Sequence, residues 1–200
     1  MGRYHLSAKD DWAYLKSICI FIFLSVFAFS ISAVLGYHVA GTDPEFAALQ
    51  TADLEKLIAL ILDQPPLAIM IIIFLKNLMT SAMAMLFGVG MGILPLLAAT
   101  SNGFLLGIVA YGAVQKAGHI MLLAGILPHG IIELPVVLVS IAVGFRLGYL
   151  LILTLAKVEA DLAGEIRQAV HLLIRYVTPL LFLAAAIETF ITPRVISVVT

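Results

Sequence analysis

A histidine and a glutamate inside a strongly apolar part of the chain are the residues best suited to chemistry. His129 and Glu133 are four residues apart and lie between the apolar runs 120–127 and 136–152. On a helix this spacing places both side chains on one face. An ionisable side chain near the centre of a bilayer costs about 2.5–3.5 kcal/mol on insertion scales. The pair therefore needs partners that compensate for its burial.

Three more polar residues interrupt other apolar runs. Glu188 lies four residues before Thr192, and Lys76 and Asn77 lie near the middle of an earlier run. With the helix directions given below, a rise of about 1.5 Å per residue puts Glu188 at the depth of the first pair. Lys76 is the expected partner of one carboxylate, because charges inside membranes usually pair. The sequence thus predicts one intramembrane polar cluster, made of His129, Glu133, Glu188, Lys76 and Asn77.

Three interpretations of this cluster are open from the sequence. It can be a polar contact that fixes the register of packed helices, or a set of side chains that meets water at the membrane surface. It can be an ion or proton site, since a histidine and two carboxylates suit zinc, iron or a proton relay. It can also bind a substrate or a lipid. No cofactor is predicted, but a bound divalent metal is compatible with His129, Glu133 and Glu188.

No catalytic motif accompanies these residues. The chain lacks a His-Glu-x-x-His metalloprotease motif, a phosphate-binding glycine loop with lysine and a complete serine-nucleophile elbow. We therefore predict that the protein is not an enzyme. A membrane-embedded metal-dependent enzyme is the least favoured alternative.

Composition indicates what must position the cluster. The 200 residues are 62% hydrophobic and 12% charged, whereas soluble domains are about 45–50% apolar and about 25% charged. This predicts a single integral membrane domain over residues 1–200, folded as an all-α polytopic bundle. The lipid bilayer is its expected surrounding. A net charge of −1 offers no basic surface for nucleic acid.

Apolar runs long enough to cross the hydrocarbon core, which takes about 20 residues, predict about five transmembrane helices. Their approximate bounds are 17–37, 67–97, 103–127, 129–155 and 172–192. The polar stretch 115–119 breaks the third helix, and the apolar run after it is too short to cross alone. The sequence leaves open whether segment 118–128 crosses the membrane or re-enters it.

Charges and helix signals orient the chain. Segment 38–64 is mainly acidic, whereas basic residues gather near the N-terminus and in 157–175. The positive-inside rule predicts a multipass protein of the plasma membrane with its N-terminus in the cytoplasm and its C-terminus outside. In the outer segment, Asp43-Pro44 should start an amphipathic extracytoplasmic helix over 44–62. Its expected apolar side consists of Leu54, Leu57, Ile58, Ile61 and Leu62.

Three pairs of glycines at small-xxx-small spacing predict close helix packing. The pairs are Gly88/Gly92, Gly103/Gly107 and Gly144/Gly148. Three such pairs in one short chain favour packing inside one bundle. They permit a homodimer but do not require one.

Several short motifs follow one another in a particular order along residues 67–193. The most specific is Pro128-His129-Gly130 with Glu133. The others are Phe74-Leu75-Lys76-Asn77, the glycines 88–92, Asn102-Gly103 with Gly107, Glu133-Leu134-Pro135, Gly144, Gly148, and Ile187-Glu188 with Thr192-Pro193. In this order the motifs resemble the stage II sporulation protein M family of small polytopic membrane proteins.

The resemblance implies a polytopic membrane protein without established enzymatic activity. The family pattern falls on Asn77, Asn102, His129, Glu133 and Glu188. In endospore formers the namesake works in an envelope complex with a peptidoglycan hydrolase and a second wall-degrading enzyme during engulfment.

The main functional hypothesis is a non-enzymatic membrane component that recruits or supports other membrane or envelope proteins in envelope or membrane remodelling. The alternative is a small transporter or an ion- or proton-conducting module that uses the His/Glu cluster.

Overall fold

The computed structural model describes residues 8–199, and within them it contains helices and turns but no strand. The α-helices are α1 (Ala8–Ser17), α2 (Cys19–Thr42), α3 (Pro44–Leu62), α4 (Pro66–Leu86), α5 (Ile93–Leu155), α6 (Leu162–Leu172), α7 (Thr178–Phe190) and α8 (Thr192–Val199). A 3₁₀ turn, Phe87–Val89, follows α4, and a π-helical segment, Leu173–Val177, joins α6 to α7. The predicted all-α class is confirmed.

Four helical stretches of the described chain are long and apolar enough to cross a membrane. They are Cys19–Thr42, Pro66–Val89, Ile93–Leu155 and Leu162–Val199. The predicted multipass membrane helix bundle is therefore confirmed. The third stretch has 63 residues, far more than the ~20 that one crossing needs.

The long α5 is a hairpin that reverses at Gly118. This residue has φ 81° and ψ 174°, a conformation essentially reserved for glycine. Gly103 packs against Phe29 of α2, while the Tyr149 ring lies 5.8 Å from that of Phe21 on the same helix. Gly103 and Tyr149 would be about 69 Å apart in a straight helix, but their α2 partners are only about 12 Å apart. The two arms, 93–117 and 119–155, must therefore run in opposite directions.

Each arm exceeds the ~20 residues needed to cross, so the described chain offers five candidate crossings. How many of them cross a bilayer stays a prediction. The helix boundary expected between residues 127 and 129 is absent, because the second arm continues through Pro128 and Pro135. Each proline removes only one backbone donor, and membrane helices tolerate such a loss where neighbouring groups compensate.

The turn before α5 also differs from the expected one. The sequence analysis extended the second span to residue 97, but α4 ends at Leu86 and α5 begins at Ile93. Between them Met91 and Gly92 adopt positive φ values of 55° and 77°. Gly92 accepts this conformation without strain, and Pro95 fits the first turn of α5, where no backbone donor is needed. Residues 98–103, which lay between predicted spans, are helical.

Helix α3 has the bounds expected from its capping residue. Asp43 accepts a hydrogen bond from the backbone N–H of Phe46 at 3.0 Å. On the expected apolar side, Leu54 and Ile61 are half-buried. The side chains of Leu57, Ile58 and Leu62 lie outside the described part of the structure. The outer location of α3 is not shown.

The paired glycines lie where helix backbones touch. In the first arm, a Cβ added at Gly103 or Gly107 would overlap α2 backbone atoms. In the second arm, a Cβ at Gly144 would overlap the carbonyl of Ala84 and lie 2.6 Å from Pro95 Cγ. A Cβ added at Gly88 would overlap the backbone of the second arm, and a Cβ added at Gly148 would overlap the backbone of the turn at Gly92. These contacts surround a core that includes Ile141, Val143 and Leu147, all fully buried.

Exchanging Gly144 for alanine should destabilise the bundle. We expect Gly144→Ala to cost about 1–3 kcal/mol of unfolding free energy, because backbone rather than a flexible side chain occupies the space of the new methyl group. Gly125→Ala is the matched control on the same arm, since its Cβ would have no atom within 4 Å. That control should be neutral or stabilising by up to ~1 kcal/mol. Unfolding in mixed micelles measures both, and equal stability of the two variants would contradict the packing account.

Candidate functional site

Three side chains from two helices converge into one cluster, which we call the triad: His129, Glu133 and Glu188. The second arm of α5 supplies the first two, and α7 supplies the third. One ligand atom of each lies within 4.8 Å of the others, and all three side chains are half-buried. The triad therefore brings an imidazole and two carboxylates to one point inside the bundle.

Helix packing explains this convergence. The rings of Phe74 on α4 and Phe182 on α7 lie 5.5 Å apart and set the two helices at a common level. Glu188 is six residues beyond Phe182, or about 9 Å along the axis. Thr192, four residues after Glu188, lies 3.4 Å from His129. Glu188 therefore lies close to His129 and Glu133, which are one helical turn apart on the second arm.

Thr192 orients the histidine. His129 Nδ1 lies 3.4 Å from Thr192 Oγ1. The threonine hydroxyl itself donates to the carbonyl of Ile187 at 3.3 Å. When this hydroxyl accepts a hydrogen bond from Nδ1–H, the neutral imidazole keeps its lone pair on Nε2.

The two glutamates require a compensating charge or proton. Two carboxylates 4.8 Å apart repel each other by about 3 kcal/mol at an effective dielectric constant of about 20. Glu133 Oε2 is buried and has no hydrogen-bond partner among the described residues. Thr189 Oγ1, next to Glu188 in the chain, is likewise buried without a partner. Chemically, the triad can hold a shared proton or bind a cation.

Lys76 makes no contact ion pair with the triad, and the place of Asn77 in the cluster stays a prediction. Lys76 is exposed, and no carboxylate oxygen of the described residues lies within 4.0 Å of its ammonium group. The expected ion pair is thus not formed at contact distance, because the Lys76 side chain is exposed. Asn77 is buried at 7% exposure. Asn102 bonds to its own helix through the carbonyl of Ala98 at 2.7 Å.

A second polar cluster, which the sequence analysis missed, lies near the start of α2; we call it the N-terminal clamp. Arg146 Nε donates to Glu165 Oε2 at 2.8 Å, and the Tyr14 hydroxyl donates to Oε1 of the same glutamate. The Arg146 guanidinium lies 5.6 Å from the centre of the Tyr14 ring and 3.4 Å from the Ser17 carbonyl. Burial and the bond to Glu165 raise the pKa of Tyr14, so the phenol remains a donor.

Asp11 makes the other half of the clamp. Its carboxylate accepts from the Tyr176 hydroxyl at 2.8 Å and from Gln168 Nε2 at 3.2 Å, and His171 Nε2 lies 3.2 Å away. Asp11 and Glu165 are 3% and 7% exposed. The clamp thus fixes α1 to α6 and the π-helical segment. No local sequence signal links Tyr14 and Asp11 of α1 to Glu165 and Gln168, which lie more than 150 positions away.

Comparison with known protein families gives a match. A family model described as "Stage II sporulation protein M" matches residues 20–193. The suspected resemblance is confirmed, and it extends beyond the expected 67–193 to include α2 and α3. No curated protein and no solved structure matches the chain significantly.

Acid should release α1 from the clamp. Burial tends to raise the pKa of Asp11, but hydrogen bonds from Tyr176, His171 and Gln168 outweigh it and hold the pKa below its usual value. A carboxyl with a lowered folded-state pKa stabilises the fold above its unfolded value of about 3.9, and this contribution is lost as pH falls through the folded value. We therefore expect α1 to undock as the pH is lowered below about 4.

Trp12, the single tryptophan of the chain, lies on α1 and reports this change by its fluorescence. Asp11→Asn should remove most of the acid-induced change by undocking α1 at neutral pH. Asp53→Asn, at a side chain that is 96% exposed, is the control and should behave as wild type. An acid transition of Trp12 that is identical in wild type and Asp11→Asn would contradict the role of Asp11.

Proposed function

We propose a partner-binding role for this chain, which belongs to the stage II sporulation protein M family. In this proposal the protein is a non-enzymatic membrane component that recruits or supports envelope proteins during envelope or membrane remodelling. The observation that carries the proposal is the family match over residues 20–193, which includes most or all of each of the four membrane-compatible stretches.

The exposed face of α3 is the surface best suited to a partner. Leu49, Asp53, Lys56 and Leu60 are spaced by four, three and four residues, so they share one face. Leu49 and Leu60 are 70% and 69% exposed. Between them, Lys56 Nζ pairs with Asp53 Oδ1 at 3.1 Å. We call these four residues the α3 stripe.

The chemistry of the α3 stripe suits a protein better than the hydrocarbon core. Exposed leucines favour burial against another surface, but the ion pair between them would be costly in lipid tails. The opposite face of α3 packs onto the bundle through Ala47, which lies with Ala40 and Ile108 in a small buried cluster. The helix is therefore held in place while its stripe stays accessible.

The orientation of the protein belongs to this proposal. The acidic character of segment 38–64 and the basic residues of 157–175 support a cytoplasmic N-terminus and an outer α3. With that orientation, the α3 stripe faces the compartment in which envelope enzymes act.

Site-specific photo-crosslinking tests the role of the α3 stripe. A photoreactive amino acid at Leu49 or Leu60 should yield protein adducts in native membranes at least ten-fold above background. The matched control is Val34 on α2, which is also 69% exposed but lies within an apolar span, where lipid adducts are expected. Mass spectrometry identifies the adducts. Only lipid adducts at all three positions would overturn the proposed role of α3.

A second candidate function is ion or proton conduction, and the convergence of the triad favours it. Liposomes that contain the purified protein and a trapped pH-sensitive dye measure proton flux directly. Conduction through the triad requires flux above empty liposomes, with at least a ten-fold loss in Glu133→Gln. Equal flux in wild type and variant excludes this route.

A further inference from the structure

We propose that His129, Glu133 and Glu188 form a binding site for one divalent transition-metal ion of the zinc type. The proposal does not depend on the partner-binding role of α3. It rests on the donor set, on the geometry of the triad and on the hydrogen bonds that surround it.

The donor set selects the class of ion. One imidazole nitrogen and two carboxylate oxygens are ligands that zinc and iron accept. Calcium and magnesium favour all-oxygen sites with more ligands or several waters. Thiolate chemistry is absent from the triad, since Cys19 is the single cysteine of the chain and lies on α2. Metals that depend on soft sulfur ligands are therefore disfavoured.

The ligand atoms of the triad need to move only slightly closer together to bind zinc. Zinc lies about 2.0–2.2 Å from nitrogen and oxygen ligands, which places tetrahedral ligand atoms about 3.4 Å apart. The triad atoms lie within 4.8 Å of one another, so side-chain rotations of roughly 1–1.5 Å bring them to this distance. The ligands come from both the second arm of α5 and α7, and the ion would join these two helices.

The hydrogen bonds around the triad prepare His129 to ligate. A hydrogen bond from Nδ1–H to Thr192 Oγ1, 3.4 Å away, would leave the lone pair on Nε2 for the metal. A metal-bound histidine usually donates its other ring proton to such a partner, which fixes the ring orientation. The histidine thus already has the second contact that a metal ligand needs.

The negative charge of the two glutamates also favours a bound cation. A divalent ion neutralises the two carboxylates and gives the buried Glu133 Oε2, which lacks a hydrogen-bond partner, a positive neighbour. Lys76 makes no ion pair within 4.0 Å among the described residues, so its charge acts on the two carboxylates only from a distance. Three protein ligands would leave one coordination position of a tetrahedral ion open to water or another small oxygen donor.

Metal analysis of the full-length, detergent-purified protein tests the site. The protein, with any affinity tag removed, is incubated with zinc chloride, desalted and measured by mass spectrometry of the metal. We expect close to one zinc per chain in wild type and at least a ten-fold loss in His129→Ala, Glu133→Gln and Glu188→Gln. His119→Ala and Glu45→Gln are matched controls at exposed side chains and should retain the zinc.

Cobalt(II) provides a second, spectroscopic readout. Wild type should show the visible absorption of four-coordinate cobalt, saturating at one equivalent and disappearing when zinc is added. Glu133→Asp and Glu188→Asp keep the charge but shorten the side chain, and they should weaken cobalt binding at least ten-fold even if the other variants do not fold.

Wild type without stoichiometric zinc and without the cobalt spectrum would overturn the proposal and leave the glutamates sharing a proton. Equal zinc loss in His119→Ala and His129→Ala would also overturn it, since the metal would then be adventitious.

Discussion

A positive φ at Gly118 allows α5 to fold back on itself, and the other contacts depend on this reversal. The first arm packs along α2 through Gly103 and Gly107. The second arm returns past α4 and carries His129 and Glu133 to the helix that bears Glu188. Without the reversal, the arms could not contact α2 at the two levels observed, and the triad would not assemble. The backbone conformation of one glycine, Gly118, thus determines how the helices of the bundle are arranged.

Two polar clusters within this bundle differ in how far their groups are satisfied. In the N-terminal clamp, Arg146, Tyr14 and Asp11 each have charged or hydrogen-bonding partners at 3.4 Å or less. In the triad, two carboxylates face one imidazole, and Glu133 Oε2 has no partner within the described chain. A fully paired cluster rigidifies the structure around it, whereas a partly paired one is costly unless something else binds. The clamp therefore suits a structural role, and the triad suits a ligand.

Sequence reasoning reached the features that follow from composition and regular spacing. Apolar runs gave the membrane class, Asp43-Pro44 gave the start of α3, and a constant helical rise placed Glu188 beside His129. It did not predict features that depend on a single backbone torsion or on contacts between residues far apart in the sequence. The polar residues around Gly118 indicated a broken span, but its φ cannot be deduced from residue types. Likewise, α1 is too short and too weakly patterned to reveal that Tyr14 meets Glu165.

The π-helical segment at Leu173–Val177 has a consequence for the length of the last helix. The backbone N–H of Thr178, the residue after this segment, donates to the carbonyl of Leu173 five residues back, so this turn holds one residue more than an α-turn. One residue corresponds to about 100° of rotation. Tyr176, at this turn, contacts Asp11 in the N-terminal clamp, while Glu188, near the end of α7, belongs to the triad. Deleting one residue here would restore a regular α-turn and leave both ends in place, whereas deleting one residue from α7 would rotate Glu188 by about 100° relative to Tyr176.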